Sequence, residues 1–153
     1  AVEAAAAFLR ARGYDNMRLI DTEDAGQSLI CTFCYVQDDV LCTADQLRVR
    51  VRLDDGTACG FSSAAYLDTH RARTLPADTM GVEAGQAAVP GTLQVVDTRT
   101  AFLRLYGARE TLCYEYLCET DDGQRCVIAL NARTGQQERI QTSDLSGGVQ
   151  MQF

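Results

Sequence analysis

The chain contains no lysine and only one histidine, His70. Its 14 basic side chains are therefore all arginine, set against 21 acidic ones, and the formal net charge is −7. A chain of that sign is a poor ligand for nucleic acid unless its arginines cluster, and it has no electrostatic attraction to an anionic membrane surface. A solitary imidazole argues against a zinc knuckle and leaves a nucleophilic triad one place to form. Proline is scarce too, at Pro76 and Pro90 only, where it punctuates the chain. No apolar run approaches the length of a membrane span, and no signal peptide is visible. Ala1 already lies inside a helical pattern with no initiator Met, so the expectation is a processed or truncated chain, and the absence of a signal here says little about location.

Cysteine, by contrast, is abundant. Seven thiols in 153 residues is an odd number, so at least one stays unpaired in a monomer. Cys31 and Cys34 have C-x-x-C spacing, but the segment from Leu29 to Val36 is apolar and β-prone. Residues three apart on a strand point to opposite faces, so this pair could not chelate one ion together. Two readings stay open for the thiols: reduced core residues, since a free cysteine packs as a small hydrophobe, or a disulfide or metal role.

The chain begins with an alanine-rich helix and a stop at Gly13. Strands are expected at Met17–Asp21, Leu29–Val36 and Gln46–Leu53, with turns at Gly26-Gln27 and Asp38-Asp39. In the third strand Val49, Val51 and Leu53 alternate with Arg48, Arg50 and Arg52, the pattern of a sheet with one dry and one wet face. Asp54-Asp55-Gly56 signals a hairpin into a return strand at Thr57–Phe61. A helix capped by Ser62 or Ser63 is expected from Ala64 to Arg73, and Pro76 closes the unit. The second half runs in similar order. A short helix spans Val82–Val89, with Glu83 in the first turn, where the helix dipole favours an acid. Strands follow at Leu93–Val96, Ala101–Tyr106, Thr111–Glu119, Arg125–Leu130 and Gln136–Gln141, and a last one at Val149–Phe153. Comparable spacing of helix and hairpin in the two halves points to duplication of one helix-plus-sheet unit. The expected class is α+β, with two tandem repeats, residues 1–77 and 78–153, each an antiparallel sheet covered by a helix. Each would be marginal alone, so the two should share contact.

Three stretches carry a family resemblance. They are Ala6-Ala7-Phe8-Leu9 with Gly13-Tyr14-Asp15-Asn16-Met17; Gly60-Phe61 with Tyr66-Leu67-Asp68-Thr69-His70-Arg71-Ala72-Arg73-Thr74-Leu75-Pro76; and Leu112-Cys113-Tyr114-Glu115-Tyr116 with Val127 to Glu138. In that order the chain resembles the C-terminal region of the YpeB spore-germination family, with its tandem PepSY domains. The resemblance implies a non-enzymatic, extracytoplasmic protein of the spore inner membrane or cortex side, held by an N-terminal anchor that lies outside this chain. It implies a partner, a cortex-lytic enzyme of the SleB type, which the module would bind, stabilise or restrain. It implies no cofactor. The alternative is a generic secreted PepSY-type protease inhibitor or binding module. The richness in cysteine departs from the family pattern and leaves the redox setting open.

The residues themselves offer few catalytic candidates. His70 sits in a charged segment, and Asp68, two residues away, would point elsewhere on a helix. A structural role, a partner contact and a catalytic role are its three readings. Glu115, between Tyr114 and Tyr116, could be an acid with a raised pKa, and Glu119 lies on the same strand face as a second carboxyl. The opposing reading is an edge that is solvated or paired with arginine. Arg48, Arg50 and Arg52 form an outward row that could dock an acidic partner or an anionic wall polymer, or could pair across strands with acids. The candidate partner-binding set is Arg48, Arg50, Arg52, His70, Arg71 and Arg73, with no catalytic residue and no metal ligand. No glycine-rich phosphate loop is present.

Overall fold

A computed structural model describes residues 1–142 and 149–151. It divides into two compact units, one built from Ala1–Ala72 together with the strand Val149–Met151, the other lying within Arg73–Asp144. Both are α+β, with antiparallel sheets and few helices.

In the first unit, helix α1 (Val2–Arg10) is followed by strands β1 (Met17–Asp24), β2 (Ser28–Gln37), β3 (Val40–Arg52) and β4 (Ala58–Ser62), and then by helix α2 (Ala64–Thr69). Ala5 and Leu9, one helical turn apart, are both buried. They press onto Cys31, Phe33, Leu47, Val49 and Val51, the dry face of β2 and β3. Burying a leucine of this kind is worth about 2 kcal/mol. The helix stops where glycine permits it. Gly13 has φ +77°, and the N–H groups of Gly13 and Tyr14 close back on the carbonyls of Arg10 and Leu9 at 3.0 and 3.1 Å, the two-bond arrangement of a left-handed helix terminus.

The β2–β3 turn falls on Asp38-Asp39, both with positive φ, 50° and 64°. Their neighbours Gln37 and Val40 pair directly, as in a two-residue hairpin loop. Strand β3 is longer than expected because it begins at once after this turn. Its register jumps where Cys42 pairs Tyr35 and Gln46 pairs Cys34, so Thr43, Ala44 and Asp45 bulge out of the ladder. Leu53 lies beyond the end of the strand and is 52% exposed, so the dry row ends at Val51.

The second unit contains helix α3 (Val82–Gln86) and strands β5 (Gln94–Tyr106), β6 (Arg109–Glu119), β7 (Arg125–Asn131) and β8 (Gln137–Thr142), each paired with the next. The strands expected at Leu93–Val96 and Ala101–Tyr106 are one continuous β5. Helix α3 is a short cover, only five residues long. It rests on two phenols: Tyr116 Oη donates to the Val82 carbonyl at 2.7 Å, and the Gly81 N–H donates to Tyr114 Oη at 3.2 Å. Gly85 has to be glycine, because a Cβ there would stand 2.3 Å from Tyr116 Oη.

The expectation of two self-contained tandem repeats is met only in part. The last strand, β9 (Val149–Met151), does not close the second unit. It pairs antiparallel with β1, Asp21 opposite Met151 and Glu23 opposite Val149. Gly147-Gly148 and the end of that expected strand at Gln152 and Phe153 lie outside the described residues. Helix α2 also stops four residues short of Arg73, with His70 already extended.

Candidate functional site

Arg48, Arg50 and Arg52 project from the wet face of β3, and all three are exposed. Two of them already have acidic partners. Arg48 Nη2 lies 3.1 Å from Glu23 Oε2, reaching diagonally across β2. Arg52 Nε lies 3.1 Å from Asp54 Oδ1, with Asp55 3.7 Å from the same guanidinium. That hydrogen bond holds the Asp54 carboxyl below the usual carboxylate range. Arg50 stands between them, opposite Gly60 on β4, where a Cβ would lie 3.2 Å from Arg50 Cβ. Arg50, Arg52, Leu53 and Cys59 line an open hollow of about 820 Å³. The row is therefore a partly paired, solvated stripe.

His70 is set quite differently. The bulge in β3 turns Asp45 inward until its side chain is fully buried, and α2 ends directly over it. His70 Nδ1 lies 2.9 Å from Asp45 Oδ2, and the Thr69 hydroxyl lies 2.9 Å from Asp45 Oδ1. The imidazole stacks on Tyr66, 4.2 Å between centroids and 14° from parallel, and meets the Tyr35 ring edge-on at 4.6 Å. Tyr14 stands edge-on to Tyr66, and Phe61 and Phe8 continue the aromatic row. Burial raises the Tyr66 phenol above its ordinary value, with Asp45, Tyr35 and Tyr14 adding to the effect. A carboxylate on Nδ1 fixes the ring's orientation and tautomer, as in hydrolytic triads. Among the described residues, however, no hydroxyl or thiol nucleophile is hydrogen-bonded to the imidazole. One third of the side chain remains exposed. The arrangement can present an oriented imidazole edge, framed by tyrosines, to another molecule.

Sequence reasoning looked for a histidine partner at Asp68 and missed Asp45. Asp45 lies 25 residues from His70, inside a short polar stretch that precedes the alternating strand. Its only local signal was an acid in a β-strand with no basic residue beside it.

Of the remaining candidates, Arg71 follows His70 and is exposed. Arg73 is turned inward. Its guanidinium grips Glu110 with two bonds, Nε to Oε2 at 2.9 Å and Nη2 to Oε1 at 2.8 Å, and both side chains are almost fully buried. It holds the second unit together and presents nothing to solvent. A cleft of about 510 Å³ lies beside this pair, lined by Phe102, Tyr106 and Arg109 among others.

Glu115 is completely buried. It faces Arg99 on β5 and Ala129 on β7, and Ala129 in turn faces Arg139 on β8. Because Ala129 is small, Arg139 can reach over it. Arg99 Nε lies 2.6 Å and Arg139 Nη2 2.9 Å from the two carboxylate oxygens. Both oxygens are thus engaged by guanidinium groups. Glu119 is paired separately with Arg125 at 2.9 Å. The reading of an arginine-paired pair of acids holds.

Cys31 joins Phe33 and Leu47 under α1, and Cys34 lies on the other face of β2, its thiol 3.8 Å from the Thr43 carbonyl. All seven cysteines are free thiols. Among the described residues no three acidic, histidine or cysteine side chains gather in a way that could hold a metal ion, and no helix is long and apolar enough to cross a membrane.

Comparison with known proteins places this architecture. Residues 1–76 match the family model described as YpeB sporulation, PepSY1 and PepSY2 domains. The chain is 32% identical over 139 residues, 90% of its length, to the sporulation protein YpeB of Bacillus subtilis, and 27% identical over 134 residues to that of Halalkalibacterium halodurans. It spans about a third of those relatives, 31% and 30% of their lengths. The solved C-terminal domain of Bacillus megaterium YpeB superposes with a TM-score of 0.81 over 92% of this chain and 62% of that one, at 24% identity, a likeness of fold.

Proposed function

The chain belongs to the YpeB sporulation family, and from that premise we propose that this non-enzymatic, protein-binding module engages a cortex-lytic hydrolase of the SleB type, stabilising or restraining it. The observation that carries the reading is the match to a YpeB protein across 90% of the chain, in which the two buried acids, Asp45 and Glu115, are tied into pairs. The partner is a protein and not a nucleic acid, in keeping with a net charge of −7. The module works on the extracytoplasmic side of the spore inner membrane, with anchoring supplied by parts of the protein outside these residues.

We assign two contact patches on the first unit: Arg48, Arg50 and Arg52 on the wet face of β3, and His70 with Arg71 on the opposite face, where Tyr66 packs against the core beneath α1. Arginine and tyrosine are the side chains that most often dominate protein interfaces. Here an arginine stripe and a tyrosine-framed imidazole are both carried on β3 and the segment that packs on it. Arg73 is left out because it is committed to Glu110.

The test is capture of a purified SleB-type enzyme by the immobilised chain, followed by the enzyme's survival against protease with and without the chain. Binding that prolongs survival, or that slows cortex hydrolysis, supports the proposal. Replacing Arg48, Arg50 and Arg52 together by Ser should weaken capture at least tenfold while leaving thermal unfolding nearly unchanged. Absence of binding by the native chain overturns the partner, and unchanged binding by the triple variant overturns the arginine patch.

A further inference from the structure

The proposed role makes no use of the thiols, yet two of them face each other. Cys118 on β6 and Cys126 on β7 are directly opposed in the antiparallel register. Cys31 faces Val49, Cys34 faces Gln46, Cys42 faces Tyr35 and Cys113 faces Asn131, so among these strand pairings only Cys118 and Cys126 bring two sulfurs together. The Cys118 thiol donates to the Tyr116 carbonyl of its own strand at 3.5 Å. The Thr120 N–H donates to the Gln124 carbonyl at 2.8 Å. Alternation along the ladder then makes Cys118 and Cys126 the next hydrogen-bonded pair, with Cα atoms about 5.5 Å apart. A disulfide accepts roughly 4.4–6.8 Å between Cα atoms but needs the Cβ atoms about 3.5–4.5 Å apart, so closure must draw the two side chains in from the wider spacing of a hydrogen-bonded pair. The two sulfurs also differ in access, Cys118 being fully buried and Cys126 partly exposed.

We propose that Cys118 and Cys126 are a redox pair, a modification site that closes to a cross-strand disulfide on reaction with a small-molecule disulfide such as oxidised glutathione. The accessible Cys126 loses its proton to solvent and its thiolate attacks one sulfur of the small disulfide. The S–S bond of that molecule breaks and the first small thiol leaves, taking up a proton. Cys118 then loses its proton and attacks Cys126 Sγ, breaking the mixed disulfide and releasing the second small thiol. In sum, two protein thiols are oxidised to one disulfide, and one small disulfide is reduced to two thiols. Burial pushes the Cys118 thiol up to about 11, so it reacts slowly with anything in solution and acts on a sulfur delivered beside it. The new bond lies on the face of β6 that carries Tyr114 and Tyr116, where it staples the hairpin beneath α3.

The experiment uses the whole native chain, incubated folded with excess oxidised glutathione, then alkylated and digested with trypsin without reduction. The expected product links the peptide 110–125 to the peptide 126–133, with fragmentation placing the bridge at Cys118 and not at Cys113. The bridged chain should unfold at a higher urea concentration than the reduced one. Cys118→Ser should stop at a glutathione adduct on Cys126, and Cys126→Ser should leave Cys118 unmodified. If Cys118 and Cys126 in the native chain stay fully alkylatable, if Cys126 stops at the mixed disulfide, or if Cys118 bridges elsewhere, the proposal fails. None of these outcomes depends on whether a hydrolase binds.

Discussion

Two fully buried carboxylates, Glu115 and Asp45, are stabilised in opposite ways. Glu115 is clamped by two guanidinium groups, one of them itself nearly buried. Its partners are fixed cations, Arg99 on the adjacent β5 and Arg139 two strands away on β8, the latter 39% exposed. Asp45 has a hydroxyl and an imidazole instead, and the imidazole reaches solvent. A buried charge must be paired, and the partner decides what the site presents, a permanently charged guanidinium in one case and an imidazole in the other. The first arrangement builds a sheet, whereas the second positions a surface group.

The comparison can be broken most forcefully at Glu115. Glu115→Gln leaves Arg99 and Arg139 without their counter-charge and should cost about 3–5 kcal/mol, read as a lower urea midpoint. A change below about 1 kcal/mol would mean the clamp is not the structural element described. Asp45→Asn retains the shape but weakens both bonds, and is expected to cost about 1–3 kcal/mol. The loss should be local. Amide exchange in α2 should accelerate while exchange in β6 stays slow, and equal acceleration in both would erase the distinction between the two sites.

A third variant probes the other face of the strand that carries Glu115. Burial pushes the Tyr116 phenol from 10.0 up to about 12. An acid whose folded value lies above its unfolded one favours the folded state fully at pH values below the unfolded value, and that contribution is lost as pH rises through the folded value. Stability should therefore fall between about pH 10 and 12. Tyr116→Phe gives up the bond to Val82, about 1 kcal/mol at neutral pH, and should show a shallower alkaline decline. An identical decline in both proteins would assign it to Cys113 and Cys118, whose thiols burial also raises, to about 12 and about 11. The smallest effect belongs to a solvent-accessible pair that bridges β6 and β7. Arg125→Gln removes the partner of Glu119 and should cost less than about 1 kcal/mol, and a loss matching that of Glu115→Gln would show that burial is not what separates them.

What could be read from the sequence follows from how local each signal is. The alternation of Val49 and Val51 with Arg48, Arg50 and Arg52 encodes a two-faced strand within five residues, and the structure has that strand. Gly13 and Asp38-Asp39 encode turns through their own backbone preferences. The arginine pairing of Glu115 was anticipated as an alternative, but its burial was not, because Arg99, Ala129 and Arg139 come together only when four strands align. Asp45 was missed for the same reason. So was the shortness of α2: helical composition continues to Arg73, but His70 leaves the helix to meet Asp45, and tertiary contact overrides propensity. The last strand was placed correctly along the chain and wrongly in space, since nothing in Val149-Gln150-Met151 indicates that its partner is β1.

That final pairing dictates an order of events. The outermost strand of the first unit is synthesised only after every residue of the second, so on emergence from a ribosome or an export channel the leading unit waits with an unmatched β1 edge until the trailing one has passed. Maturation of this module is nested, and a protease that cuts the chain between the two units would leave β9 held to its sheet by non-covalent pairing alone.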